Sequence, residues 1–221
     1  MKWLLLNWPQ VLELIGKHLA LSLPAIGISI LVAVPIGRVA SRYSWFGKPL
    51  LNLATLMYAV PSLPLLIVIP SLMGFPLRSA LNLITALTIY GVALLVGTAA
   101  DAFDAVDTGV HEAAIAVGFS RRSVFWQVDL PLAMPVLLSG VRVVVVATVG
   151  LVTIGALIGQ SSLGTLLTDG FQRGIIAEVA TGVIMTMVVA VVLDGLVLAV
   201  GRILTGWTRS VESSTTRQVA L

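Results

Sequence analysis

Five apolar runs, each long enough to cross a bilayer, follow one another along this chain and leave little polar sequence between them. They cover about residues 19–39, 50–73, 81–100, 135–158 and 176–204. A hydrocarbon core about 30 Å thick takes about 20 apolar residues of α-helix. The chain therefore reads as an all-α integral membrane protein with five transmembrane helices. Its 221 residues are 58% hydrophobic and 10% charged, against about 25% charged in soluble domains, so little is left for a second domain.

The expected organisation is an N-terminal interfacial segment over residues 1–17, one membrane domain over 18–204, and a flexible tail over 205–221. Pro9 suits a first helical position and Trp3 and Trp8 suit the headgroup level, so a short helix lying in the interface is expected before the first span. The same stretch contains Glu13 and lacks a small-residue cleavage pattern, so it does not read as a signal peptide. In the second run Pro61, Pro64 and Pro70 each remove a backbone donor, which predicts a bent or locally broken helix.

Five spans put the chain ends on opposite sides, and the basic residues choose the orientation. With the N-terminus outside, Arg38, Arg42, Lys48, Arg121, Arg122, Arg142, Arg202, Arg209 and Arg217 fall inside, against Lys2, Lys17, Arg78 and Arg173 outside. This count predicts a cytoplasmic C-terminus and a cytoplasmic loop at about 104–135, between the third and fourth spans. Scattered among spans, these 13 basic residues are topology signals and do not indicate nucleic-acid binding.

That loop carries EAAIAVGFSRRSVFWQVDLP, from Glu112 to Pro131. Alanines around Ala113 and Ala114 favour a helix, and Gly118 stands where a helix ends in a left-handed residue. Ser120 can cap a second short helix over 121–128, with Leu130 and Pro131 closing it before the fourth span opens at Pro135. Such a helix-turn-helix would expose Phe119, Val124, Phe125 and Trp126 beside Arg121. On pattern alone this is either a protein docking surface or an interhelical loop anchored on the headgroups by Trp126 and Arg121.

Charges inside the runs are few. Arg142 lies about 10 Å into the fourth span and Asp194 about 12 Å into the fifth from the same side. An unpaired charge at such depth is unfavourable, so the two either pair or find separate relief, Arg142 by reaching the headgroups and Asp194 by meeting water or backbone donors. Gly155 and Gly159 form a G-x-x-x-G step that suits close helix approach, within the chain or against another. There is no cysteine, His18 and His111 are too isolated for a metal site, and no G-x-S-x-G frame supports a membrane hydrolase. Neither Gly16-Lys17 nor Gly47-Lys48 continues into a phosphate-binding loop, so this chain does not hydrolyse ATP by that route.

The order Glu112-Ala113-Ala114, Gly118, Val128, Leu130, Pro131 resembles the EAA loop of ATP-binding-cassette importer permeases. The resemblance extends over about residues 18–202, through HLALSLPAIGISILVAVPIGR, AVPSLPLLIVIP and LPLAMPVLLSGVR, and is greatest to permeases for glycine betaine, choline or carnitine. The sequence departs from that pattern at Gln160–Gly164, where relatives carry a glycine-rich run, and at Val96–Ala99, where many carry Arg-Asn.

The resemblance implies a type I importer fold in a bacterial cell membrane. It also implies a coupling helix at Glu112–Pro131, in which Glu112, Ala113, Ala114, Gly118, Phe119, Ser120, Arg121, Phe125, Trp126, Leu130 and Pro131 meet an ATPase subunit. Separate ATPase subunits would bind the ATP and Mg, a second permease chain would complete the pore, and an external binding protein would deliver substrate. Within the pathway, Tyr58, Pro61, Ser62, Pro64 and Tyr90 would face a quaternary ammonium ion with aromatic faces and freed carbonyls, unless they only kink and pack the helix. A paired Arg142 and Asp194 would brace the gate. A permease for an amino acid or another small solute, and a non-coupled channel or scaffold, are the alternatives.

Overall fold

A computed structural model describes residues 2–74 and 76–205. Apart from Thr205, the tail expected to be flexible lies outside the described residues, as do Arg209 and Arg217 of the charge count.

Among the described residues every regular element is a helix. A short α1 (Lys2–Leu6) leads into α2 (Trp8–Arg42), followed by α3 (Ser44–Ala59), α4 (Ser62–Met73) and α5 (Ala80–Asp104). Next come the short α6 (Thr108–Ala116) and α7 (Arg121–Val124), a π-helical turn (Phe125–Asp129) and α8 (Leu130–Val152). A 3-10 stretch (Thr153–Ile158) then leads to α9 (Leu163–Gln172) and α10 (Ile176–Leu204). Four helical stretches are long and apolar enough to cross a membrane: Trp8–Arg42, Ala80–Asp104, Arg121–Ile158 and Ile176–Leu204. The pair Gly47–Ala59 and Ser62–Met73 reaches that length together, bent by 109°. This is a multi-pass membrane protein.

The expected division at residue 17 is corrected by α2, which runs through it as one helix of 35 residues. Glu13 and Lys17 do not mark a boundary; they form an i,i+4 ion pair of 2.7 Å on the helix's exposed side. On the opposite side Val11 and Leu14 are buried with Val149, Leu163, Leu166 and Val189, so the segment packs inside the bundle. The buried stripe continues through His18, Leu21, Ser22, Ala25, Ser29, Ala33, Gly37 and Ala40, at the three- and four-residue spacing of a single helix face. His18 donates from Nε2 to the Val149 carbonyl at 3.0 Å, tying α2 to α8.

Small residues let α2 and α5 approach closely. A Cβ on Gly91 would lie 2.2 Å from Ser29 Oγ, and one on Gly37 would lie 2.5 Å from the Ala99 Cβ. Ser29 bonds across the same seam to the Thr88 carbonyl at 3.2 Å.

The break between α3 and α4 has a local cause. A residue before proline is driven out of the α region, and Val60 (φ −68°, ψ 128°) and Pro61 (φ −60°, ψ 137°) are both extended. Pro64 then sits in the first turn of α4, where its missing donor costs nothing. Asn82 on α5 holds α4 in place by donating to the carbonyls of Leu66 and Leu77, both at 3.0 Å.

The G-x-x-x-G step does not form an α-helical face. Gly155 lies in the 3-10 stretch, where its Cβ would meet Leu83 of α5 at 2.4 Å, and Gly159 (φ 83°) ends that stretch in the left-handed region. Gly155 therefore serves packing within the subunit.

Candidate functional site

The segment between α5 and α8 is assembled from local signals. Asp107 caps α6 by accepting from the Gly109 amide at 2.7 Å. At the other end Gly118 is left-handed (φ 97°). Its amide donates to the Ile115 carbonyl at 3.0 Å, and the Phe119 amide donates to the Ala114 carbonyl at 3.1 Å. These two reversed bonds complete a Schellman ending, which satisfies carbonyls that a helix end leaves free. Ser120 then accepts from the Ser123 amide at 3.2 Å and starts α7.

The turn at Gly118 aims α6 and Phe119 outward. Glu112, Ala113, Gly118, Phe119, Ser120, Arg121 and Trp126 are exposed, while Ala114 is the one buried residue of α6. Phe119 is 38% and Trp126 59% exposed, so both rings are left uncovered by the rest of the chain.

Two expectations for this segment are corrected. Val124 is fully buried and Phe125 turns inward, packing on Phe103 at 6.0 Å between ring centroids. The large apolar side chains that stay exposed in this segment are therefore Phe119 and Trp126, without Val124 or Phe125. Nor do Leu130 and Pro131 stop a helix before the fourth span. Helical structure continues from Arg121 to Ile158, with Leu130 and Pro131 half-buried in the first turn of α8. A π turn precedes them: the Leu130 amide donates to the Phe125 carbonyl, five residues back. This wider turn accommodates a proline, which has no amide to give and whose ring would clash with the carbonyl four residues earlier.

The π turn also resets which side chains face inward. Residues five apart on an undistorted α-helix are offset by about 140°, yet Val124 and Asp129 are both buried. Asp129, with its side chain 1% exposed, accepts from Arg38 Nη2 through Oδ2 and from His111 Nδ1 through Oδ1 at 2.9 Å. The Arg38 guanidinium lies over the Phe103 and Phe125 rings at 5.1 and 5.9 Å, a favourable cation–π arrangement. The sequence alone leaves His111 an isolated histidine and does not join it to Arg38 or Asp129. The available signal was an aspartate directly before Leu130-Pro131, at the edge of the fourth apolar run.

Further along the long helices, on a partly exposed face of the bundle, Arg142 on α8 and Asp194 on α10 meet in a two-point ion pair. Arg142 Nε donates to Oδ1 and Nη2 to Oδ2, each at 2.7 Å. Both partners lie on long helices, and the planar guanidinium fits the carboxylate fork.

The broken helix brings Tyr58, Ser62 and Tyr90 to one open cavity of about 440 Å³, lined also by Val146, Ala147, Gly150 and Leu151. Tyr58 and Tyr90 meet edge to face at 6.3 Å between centroids. The Tyr90 hydroxyl donates to the Val60 carbonyl, one of the groups released by the break. Pro61 and Pro64 are exposed beside this cavity and shape it through the backbone.

The family of binding-protein-dependent transport system inner membrane components matches residues 25–206. This chain belongs to that family. It is the permease subunit of an importer, and among curated relatives it is 34% identical to the osmoprotectant import permease protein OsmW of Salmonella typhimurium. That match spans 88% of this chain and 91% of the relative. The choline transport system permease protein OpuBB of Bacillus subtilis is 26% identical over 90% of each chain. The glycine betaine/carnitine/choline transport system permease protein OpuCD of the same organism is 25% identical over 85% of this chain and 81% of its own. Among solved structures, inward-facing MetNI methionine ABC transporter shares the permease's fold at a TM-score of 0.71 and 20% identity. There the match covers 89% of this chain and 95% of the other.

Proposed function

We propose that this permease forms the translocation pathway of an ATP-driven importer for quaternary ammonium osmoprotectants such as glycine betaine, choline or carnitine. The observation that carries the reading is the near full-length similarity to OsmW, at 34% identity. The cavity at the broken helix suits such a solute, because Tyr58 and Tyr90 offer aromatic faces and Ser62 a hydroxyl oxygen. A trimethylammonium group has no N–H to donate, so aromatic faces and partially negative oxygens can hold it without a directed hydrogen bond.

In this reading the N-terminus is outside, five spans cross a bacterial cell membrane with α3 and α4 sharing one of them, and the Thr108–Pro131 loop faces the cytoplasm. There Phe119 and Trp126 dock on an ATPase subunit that binds ATP and Mg. A second permease chain, the same or different, covers apolar surface that α2 and α10 leave open, and lipid covers the rest. An external binding protein supplies the substrate. The Arg142–Asp194 pair braces the gate by holding α8 to α10.

The deciding experiment is uptake by the reconstituted complex of labelled glycine betaine, choline and carnitine against methionine and histidine. Saturable uptake of at least one quaternary ammonium compound is expected; uptake of the amino acids alone would overturn the substrate class. Tyr58→Ala is expected to lower that uptake about tenfold while ATPase assembly persists, since one aromatic cation contact contributes up to about 2 kcal/mol when desolvated. Unchanged uptake would remove Tyr58 from the pathway.

Docking has its own test. Gly118→Val forces a β-branched residue to φ 97°, a strained conformation that undoes the Schellman ending. The permease is expected to remain folded, because a Cβ at Gly118 meets no atom within 4 Å, but to lose most of its co-purifying ATPase. Full retention of the ATPase by Gly118→Val together with Phe119→Ala and Trp126→Ala would show that the subunits meet elsewhere.

A further inference from the structure

We propose that Asp129 is a positioning residue that fixes the docking helix α6 to the end of α2, so that displacement of α6 is passed to the bundle. This rests on the reading of α6 and its following turn as the ATPase docking site.

Asp129 stands between three segments distant in sequence. It belongs to the π turn, and its two carboxylate oxygens are taken by Arg38 from the last turns of α2 and by His111 from the middle of α6. With no exposed carboxylate left for water, its charge depends on these two partners. α6 has few other attachments. Ala114 is its only buried residue, and it enters and leaves through the turns at Asp107 and Gly118. The His111–Asp129 bond is thus its principal polar anchorage among the described residues.

The two arms of the clamp differ. Arg38 is stacked on Phe103 and Phe125 and lies one residue from Gly37, where α2 packs closely on Ala99 of α5. Movement of Arg38 therefore entails movement of both helices. His111 is 37% exposed and borders a cavity of about 240 Å³ shared with Ser41, Arg42, Asp104 and Thr108. The His111 arm is the one with room to yield.

Hydrogen exchange on the complete permease in lipid nanodiscs tests the clamp without requiring the ATPase. Asp129→Asn and His111→Ala are each expected to accelerate amide exchange in Thr108–Ala116 about tenfold or more, with α5 and α10 unchanged. Arg38→Gln combined with Asp129→Asn should exchange no faster than Asp129→Asn alone, because removing both partners leaves no unpaired charge. If Asp129→Asn fails to fold, His111→Ala decides. Exchange in α6 within twofold of wild type in the folded variants would overturn the proposal.

The second arm uses the assembled complex in proteoliposomes with glycine betaine as the probe. His111→Ala is expected to retain the ATPase but to take up several-fold less glycine betaine per ATP hydrolysed. Unchanged stoichiometry despite faster exchange would reduce the cluster to a structural tie and overturn its positioning role. Failure of the docking reading registers separately, as ATPase retention by the Gly118 and Phe119 variants, and failure of the substrate reading as absent uptake in wild type.

Discussion

Gly164→Val yields almost no folded permease. A Cβ at this position would stand 2.1 Å from the Thr153 carbonyl oxygen and 2.7 Å from the Thr153 carbonyl carbon. Both are backbone atoms of the 3-10 stretch, so no side chain can rotate aside. The amide of Gly164 is also committed, donating to the Ser162 hydroxyl at 3.1 Å in the cap of α9. Relief would have to separate α9 from the end of α8, opening the cluster in which Leu163 and Leu166 are fully buried with Val11 and Val149. Overpacking of ordinary cores costs about 1–3 kcal/mol, and a clash confined to backbone belongs at or above the top of that range. The check is the yield of monodisperse, detergent-extracted protein, with Gly195→Ala as control because a Cβ there meets nothing within 4 Å. Wild-type yield of Gly164→Val would contradict the packing described for α9.

Reversing one charge of the Arg142–Asp194 pair abolishes uptake, and reversing both restores a substantial part of it. Arg142→Glu would leave two carboxylates facing each other between α8 and α10, where guanidinium and carboxylate now share two bonds of 2.7 Å. Like charges at this distance repel, and the bilayer offers little water to screen them. The single variants are expected to lose uptake by at least about tenfold, with reduced thermal stability. Arg142→Glu with Asp194→Arg re-forms an ion pair of opposite polarity. If the double variant is no more active or stable than either single one, the pair does not hold α8 to α10.

The spans were legible because their signal is summed over about 20 residues, which no single misleading side chain can cancel. The break at Pro61 and the turn at Gly118 were legible for a different reason: proline and glycine impose backbone conformations that few contexts override. Arg142 and Asp194 could be matched by depth alone, since helical rise converts residue number into distance.

What remained hidden depended on helical phase. Trp3, Trp8 and Pro9 suggest a separate interfacial segment ending at residue 17, but Glu13 and Lys17 are neighbours on one exposed face of a helix that runs straight through that point. Val124 and Phe125 were misplaced because helix 121–128 reads as projecting freely, whereas it runs through a π turn into α8 with Val124 buried and Phe125 on Phe103. A hydrophobic pattern carries no mark of that insertion, since Pro131 is equally consistent with a helix start. The Arg38–Asp129–His111 cluster depends on this turn and on contact between segments 91 residues apart, so only the folded chain reveals it.

The unbroken helical course from Arg121 to Ile158, 38 residues long, has a mechanical consequence. At 1.5 Å per residue it is a rod about 57 Å long. Held near its middle, such a rod acts as a lever and cannot absorb a small rotation at one end. Tilting about that middle by about 5° sweeps each tip through about 2.5 Å, about half the pitch of one helical turn. A modest push at Trp126 is therefore passed to the glycine-lined 3-10 terminus as a displacement of about the same size in the opposite sense.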